Sequence, residues 1–201
     1  MVKKKSGSFV KQAAILAFAS IMVRFLGFLY RIPMTNMIGD TGNAIYTAGY
    51  NIYTFLLILS SAGLPAAISK MVSERLAAGE YRNAHKVFQV SLLVSGTLGF
   101  ICMTVMFVFA KQIATIFADL PDSYYCILTL SPTIFIVAIM SVYRGYFQGM
   151  NTMLPTALSQ IVEQIFNAFF SVYLAYILLG YGVDRAAGQK NIVMGAAGGT
   201  A

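Results

Sequence analysis

The chain has 201 residues, of which 58% are hydrophobic and only 10% charged, and it carries a net charge of +7. A soluble domain of this length needs a much larger charged surface, so the composition excludes an ordinary soluble fold and points to a membrane protein. The basic residues gather at the ends of apolar runs, as topology signals do, which argues against a nucleic-acid-binding face.

About 20 apolar residues cross a bilayer as helix, and several such runs follow one another here. The ten-residue alternation of a membrane β-barrel is absent. The expected fold is therefore all-α, a multi-pass bundle with five complete transmembrane helices at about 12–34, 45–68, 87–109, 125–147 and 154–179. The first span follows Lys3, Lys4, Lys5 and Lys11. It is too long for a signal-peptide core and lacks a small-residue cleavage site, so it is expected to remain attached. Gly39-Asp40-Thr41-Gly42-Asn43 reads as a tight turn, and Pro65 is expected to kink the end of span two.

Residues 69–86 interleave Met71, Val72, Leu76 and Ala77 with charges, which fits either a short amphipathic helix on the cytoplasmic surface or a solvated connector. The sole histidine, His85, sits in this basic loop. Cys102 and Cys126 fall inside apolar runs without metal or redox spacing and read as small core- or lipid-facing residues. Asp119-Leu120-Pro121-Asp122 breaks the chain before span four, which contains Pro132, and Gly149-Met150-Asn151-Thr152 is the next turn. A truncated sixth segment opens at about Ile192 and the sequence stops at Ala201. It is therefore expected to be the N-terminal part of a longer protein.

Lys3, Lys4, Lys5, Lys11, Lys70, Arg75, Arg82 and Lys86 fall on one side of this topology, and Lys111, Arg185 and Lys190 on the other. The bias places the N-terminus in the cytoplasm and Tyr124, Tyr125 and Tyr181 at the outer interface.

Arg24 lies halfway along span one, where an arginine costs about 2.5–3.5 kcal/mol on insertion scales. Arg31 is seven positions on and shares its face, with Gly27 between them leaving room for a bulky group to approach. Arg31 can also be read as snorkelling to the interface. Span five carries Gln160, Glu163, Gln164, Asn167 and Ser171 as one polar stripe, which must face a cavity or a packed helix. Glu163 is a candidate to pair with Arg24, bind a coupling cation or take up a proton. Arg144, near the end of span four, is either a cavity residue or a positive-inside anchor. Gly145 and Gly149 form a GxxxG, which permits close helix approach. Tyr46, Tyr50 and Tyr53 share one face of span two, where packing is the simpler explanation. No carboxylate pair, metal spacing, phosphate loop or nucleophile set is present, so neither an enzyme nor a cofactor is expected.

Five motifs in order carry a family resemblance. They are Arg24-Phe25-Leu26-Gly27-Phe28-Leu29-Tyr30-Arg31-Ile32-Pro33, Gly39-Asp40-Thr41-Gly42, residues 61–70, Arg144-Gly145-Tyr146-Phe147-Gln148-Gly149 and residues 155–164. Together they resemble the polysaccharide flippase branch of the MOP (MATE-like) transporter superfamily, and within it the Gram-positive lipid II flippase and stage V sporulation protein B group. The resemblance implies the N-terminal lobe of a MATE-like fold with a central cavity between two lobes. It also implies alternating access that carries a polyprenyl-pyrophosphate-linked oligosaccharide across the cytoplasmic membrane, driven by a coupling cation or the membrane potential. The family's first-helix cavity arginines correspond to Arg24 and, one residue offset in spacing, Arg31. The further arginine that Gram-negative relatives carry on the second helix is replaced here by apolar Phe55, Leu56 and Leu57. Two rival functions are a cation-coupled drug antiporter of the same fold, using Glu163, and a membrane scaffold in envelope or spore assembly.

Overall fold

The computed structural model describes residues 5–61, 63–117 and 120–183. The expected sixth segment from about Ile192, together with Lys3, Lys4, Arg185 and Lys190, lies outside the described residues. Helix α1 (Lys5–Ser61) is two helical limbs joined at Gly39, whose φ of 73° and ψ of 179° are open almost only to glycine. Residues on both sides of Gly39, from Tyr30 to Tyr50, line one cavity, so the chain doubles back there. The expected turn at 39–43 is thus compressed into one residue, and the second limb is helical from Asp40 onward.

Helix α2 (Leu64–Ala77) follows Gly63, which is left-handed at φ 83°. Pro65 occupies the first turn of α2, where its missing N–H would have had no intrahelical partner. The expected kink is therefore a full break. Residues 69–77 do not form a separate surface helix either, because they continue α2. Ile68 and Val72 are buried and pack in one cluster with Ala84 and Val142, so the apolar edge is absorbed by protein. Residues 78–80 turn, and α3 (Tyr81–Val108) begins. At that exposed turn, hydrogen bonds from Asn83 and Arg75 hold the Glu80 carboxyl below its usual range.

The short helix α4 (Ala110–Gln112) leads through a π-turn at Ile113–Phe117 and a 3-10 turn at Pro121–Ser123. Helix α5 (Tyr124–Gly149) continues through Pro132, and α6 (Leu154–Val183) follows a turn in which Asn151 is left-handed at φ 57°. Hydroxyls within these helices bond their own chain: Thr35 donates to the Arg31 carbonyl, Thr54 to Tyr50 and Thr104 to Phe100. Such back-bonding lets polar residues sit in apolar surroundings.

Four stretches among the described residues, Val10–Asn36, Ile38–Ala77, Tyr81–Val108 and Pro121–Gly149, are long and apolar enough to cross a membrane. The last is the hub and is far more buried than the first. Ile127, Ile134, Ala138 and Val142 of α5 are fully buried. Cys102 and Cys126 join the core cluster around Ile127 and Ile134, so both cysteines face protein rather than lipid. Small residues set the spacing. A Cβ on Gly149 would stand 2.7 Å from the Val72 Cβ, and one on Gly145 2.8 Å from the Pro65 carbonyl oxygen. The GxxxG of α5 thus seats α2 directly on its backbone. Ser95 of α3 donates to the Ala138 carbonyl of α5 at 2.9 Å, where Gly99 also lies against Ala138.

Candidate functional site

Helix α6 lies alongside the first limb of α1, both running the same way. The backbone N–H of Met153 donates to Gln12 Oε1 at 3.0 Å where α6 begins. Further along, Gly27 faces Gln164, whose Nε2 would be 3.3 Å from any Cβ there. The Tyr30 phenol lies beside the Gln164 and Asn167 amides. The glycine between the two arginines therefore makes room for a neighbouring amide on α6.

Arg24 and Arg31 are both exposed, about 10 Å apart along the helix axis. Among the described residues neither makes an ion pair or a side-chain hydrogen bond. Arg31 opens onto a cavity of about 100 Å³ lined also by Tyr30, Thr35, Asn43, Tyr46 and Tyr50.

The α6 stripe is divided among its neighbours. Glu163 pairs with Arg144 of α5, and the Arg144 Nε also reaches Ser159 Oγ at 3.4 Å. Of the partners open to Glu163 in the sequence, Arg24 is thus not the one taken. The turn at residues 150–153 folds α6 back along α5 and brings 144 and 163 to the same level. Arg144 keeps 19% of its side-chain exposure and Glu163 45%, so the pair sits at the edge of a groove. Gln164 and Asn167 turn toward α1, and buried Ser171 donates to Asn167 Oδ1 at 2.8 Å. The Gln160 Oε1 is buried and finds no donor among the described residues, and neither does the buried Thr156 Oγ1. A bound water or ligand group can satisfy such atoms.

Across from these residues, Tyr46, Tyr50 and Tyr53 form a ladder with ring centroids 5.4 and 5.7 Å apart. Tyr53 is buried in the core, whereas Tyr50 stays 43% exposed. Guanidinium, amide, phenol and carboxylate groups from α1, α5 and α6 therefore share one polar seam. Tyr30, Thr35, Asn43 and Ser159 belong to it, and the sequence reading did not single them out. The usable signal for Asn43 was the Gly39 break, because a hairpin there must bring residues on either side of it together.

A polar seam enclosed by long apolar helices defines a multi-pass α-helical membrane protein. The model for the polysaccharide biosynthesis protein family matches residues 9–192, and this chain belongs to that family. It is 34% identical over 180 residues to stage V sporulation protein B of Bacillus subtilis (strain 168), covering 90% of this chain and 35% of the relative. To the lipid II flippase MurJ of the same strain it is 34% identical over 182 residues, covering 87% of this chain and 34% of that one. The uncharacterized membrane protein YabM of that strain is 28% identical over 174 residues, 86% of this chain and 31% of its own. The chain spans about a third of the length of these relatives. No solved structure matches it.

Proposed function

We propose that this chain supplies one lobe of a flippase that moves a polyprenyl-pyrophosphate-linked cell-wall or polysaccharide precursor across the bacterial cytoplasmic membrane by alternating access. Two guanidinium groups on an apolar span that make no ion pair or side-chain hydrogen bond among the described residues carry this reading. A pyrophosphate leaving water needs cations, and arginine meets its oxygens through a planar fork of donors. Arg24 and Arg31 are the proposed pyrophosphate ligands, with Gly27 and the α6 amides Gln164 and Asn167 forming the wall between them. The name of one relative, the lipid II flippase MurJ, supports the substrate class. The basic residues before span one support a cytoplasmic N-terminus. At 30 residues, α6 is about 45 Å long and serves as the fifth span. The proposed role is transport rather than catalysis.

The antiporter alternative relied on Glu163 as a cation or proton site, and its pairing with Arg144 weakens that reading. A scaffold has no use for two arginines on an apolar span that are unpaired among the described residues.

The test is flipping of a fluorescent polyprenyl-pyrophosphate saccharide by the complete gene product in liposomes. Arg24→Ala and Arg31→Ala, expressed to the level of the parent, are each expected to lower the rate at least tenfold, equivalent to about 1.4 kcal/mol. Unchanged rates in both variants would refute the arginine assignment, and no flipping by the parent would refute the flippase and favour the scaffold.

A further inference from the structure

We infer that the tyrosine ladder beside Arg31 is a saccharide subsite, on which the sugar attached to the pyrophosphate stacks against the exposed ring of Tyr50. The inference rests on the flippase reading and adds the part of the substrate that the arginines do not recognise. Packing explains Tyr53, which is buried, but it leaves unexplained why Tyr50 keeps 43% of its surface open in the same row.

The groups around Tyr50 have the chemistry a pyranose needs. A sugar ring presents a face of polarised C–H bonds and a rim of hydroxyls. The C–H face is attracted to the negative face of an aromatic ring, and the rim needs fixed donors and acceptors. Tyr50 supplies the ring, held in place by Tyr46 at 5.4 Å and Tyr53 at 5.7 Å. The Asn43 amide, open on the same cavity, makes no side-chain hydrogen bond among the described residues and offers both donors and an acceptor. The Thr35 hydroxyl spends its proton on the Arg31 carbonyl at 2.8 Å, which leaves its lone pairs to accept. Arg31 lines this cavity too, so a phosphate held there places the next group of the substrate beside the ladder. The cavity of about 100 Å³ admits one edge of a sugar and leaves the remainder over Tyr50.

The test compares two probes on the complete gene product in lipid nanodiscs: undecaprenyl pyrophosphate, and the same lipid carrying a single hexosamine. Tyr50→Ala is expected to weaken the hexosamine-bearing lipid about tenfold and to leave undecaprenyl pyrophosphate within about twofold, because only the stacked ring is lost. Tyr50→Phe keeps the ring and should retain most of the affinity, which separates loss of stacking from loss of fold. Arg31→Ala should weaken both probes. Equal weakening of both probes by Tyr50→Ala would assign the ring to the prenyl chain and overturn the subsite, as would no effect on either. If the unsubstituted chain binds neither probe, the flippase reading falls and the subsite with it.

Discussion

Arg144 and Glu163 come from different helices, and each was open to several readings in the sequence. The periodicity of α6 showed that Gln160, Glu163, Gln164, Asn167 and Ser171 share a face, and they do. It could not show that this face is wide enough to touch α1 on one side and α5 on the other. The residue partners follow from the short turn at 150–153, which sets the depth of α6 against α5. Pairing with Glu163 gives Arg144 a use beyond that of an interfacial anchor. Because the pair is only partly shielded, its worth should fall between that of an exposed and a buried pair. Arg144→Leu and Glu163→Leu are each expected to lower stability by about 1–2 kcal/mol, since each strands a half-buried charge. The double variant should recover much of that loss. Thermal unfolding in detergent, followed by circular dichroism, gives the cycle, and strictly additive losses would show that the two side chains do not act as a pair.

At the scale of elements, the apolar runs and their order were legible because a backbone in lipid has few ways to satisfy its hydrogen bonds. The joints were less so. Pro65 was visible as a disturbance, but the break depends on Gly63 taking a left-handed conformation two residues earlier. The charges of residues 69–86 suggested an element on its own, while the buried pair Ile68 and Val72 shows that a few apolar positions suffice to dock it. Docking of α2 rests on Gly149, where a methyl would stand 2.7 Å from the Val72 Cβ and 2.8 Å from the Ser69 carbonyl oxygen. Gly149→Ala should therefore push α2 outward and cost about 1–3 kcal/mol, the range for overpacking a tight contact. Gly96 of α3 offers the contrast, since a Cβ there meets nothing within 4 Å. Gly96→Ala is expected to be neutral or stabilising by up to about 1 kcal/mol through helix propensity. Equal effects of the two substitutions in thermal unfolding would mean that the close approach of α2 to α5 does not matter.

At the scale of the molecule, the helices fall into two groups. Helices α2, α3 and the second limb of α1 pack around α5, whereas α6 lies mainly against the first limb of α1 and meets α5 chiefly through Arg144, Ser159 and Glu163. The seam runs where these groups meet, with Arg24, Tyr30 and Arg31 on the first limb of α1 and Tyr46, Tyr50 and Tyr53 on the second. Composition and motifs could indicate a lobe, but not this division, which depends on one close approach. Gly27 faces Gln164, and Gln12 caps the start of α6 through Met153. Gly27→Leu should separate α6 from α1 while leaving the α5 group intact. Two introduced cysteine pairs, in a background with Cys102→Ala and Cys126→Ala, read this directly. Gln12→Cys with Met153→Cys reports α1 against α6, and Ser95→Cys with Ala138→Cys reports α3 against α5, where the serine hydroxyl meets the Ala138 carbonyl at 2.9 Å. A short bifunctional thiol reagent should join both pairs in the parent. With Gly27→Leu, joining of 12 to 153 should fall sharply while joining of 95 to 138 persists. Loss of both together would mean that the described helices move as one body, and loss of neither would mean that Gly27 does not hold α6 in place.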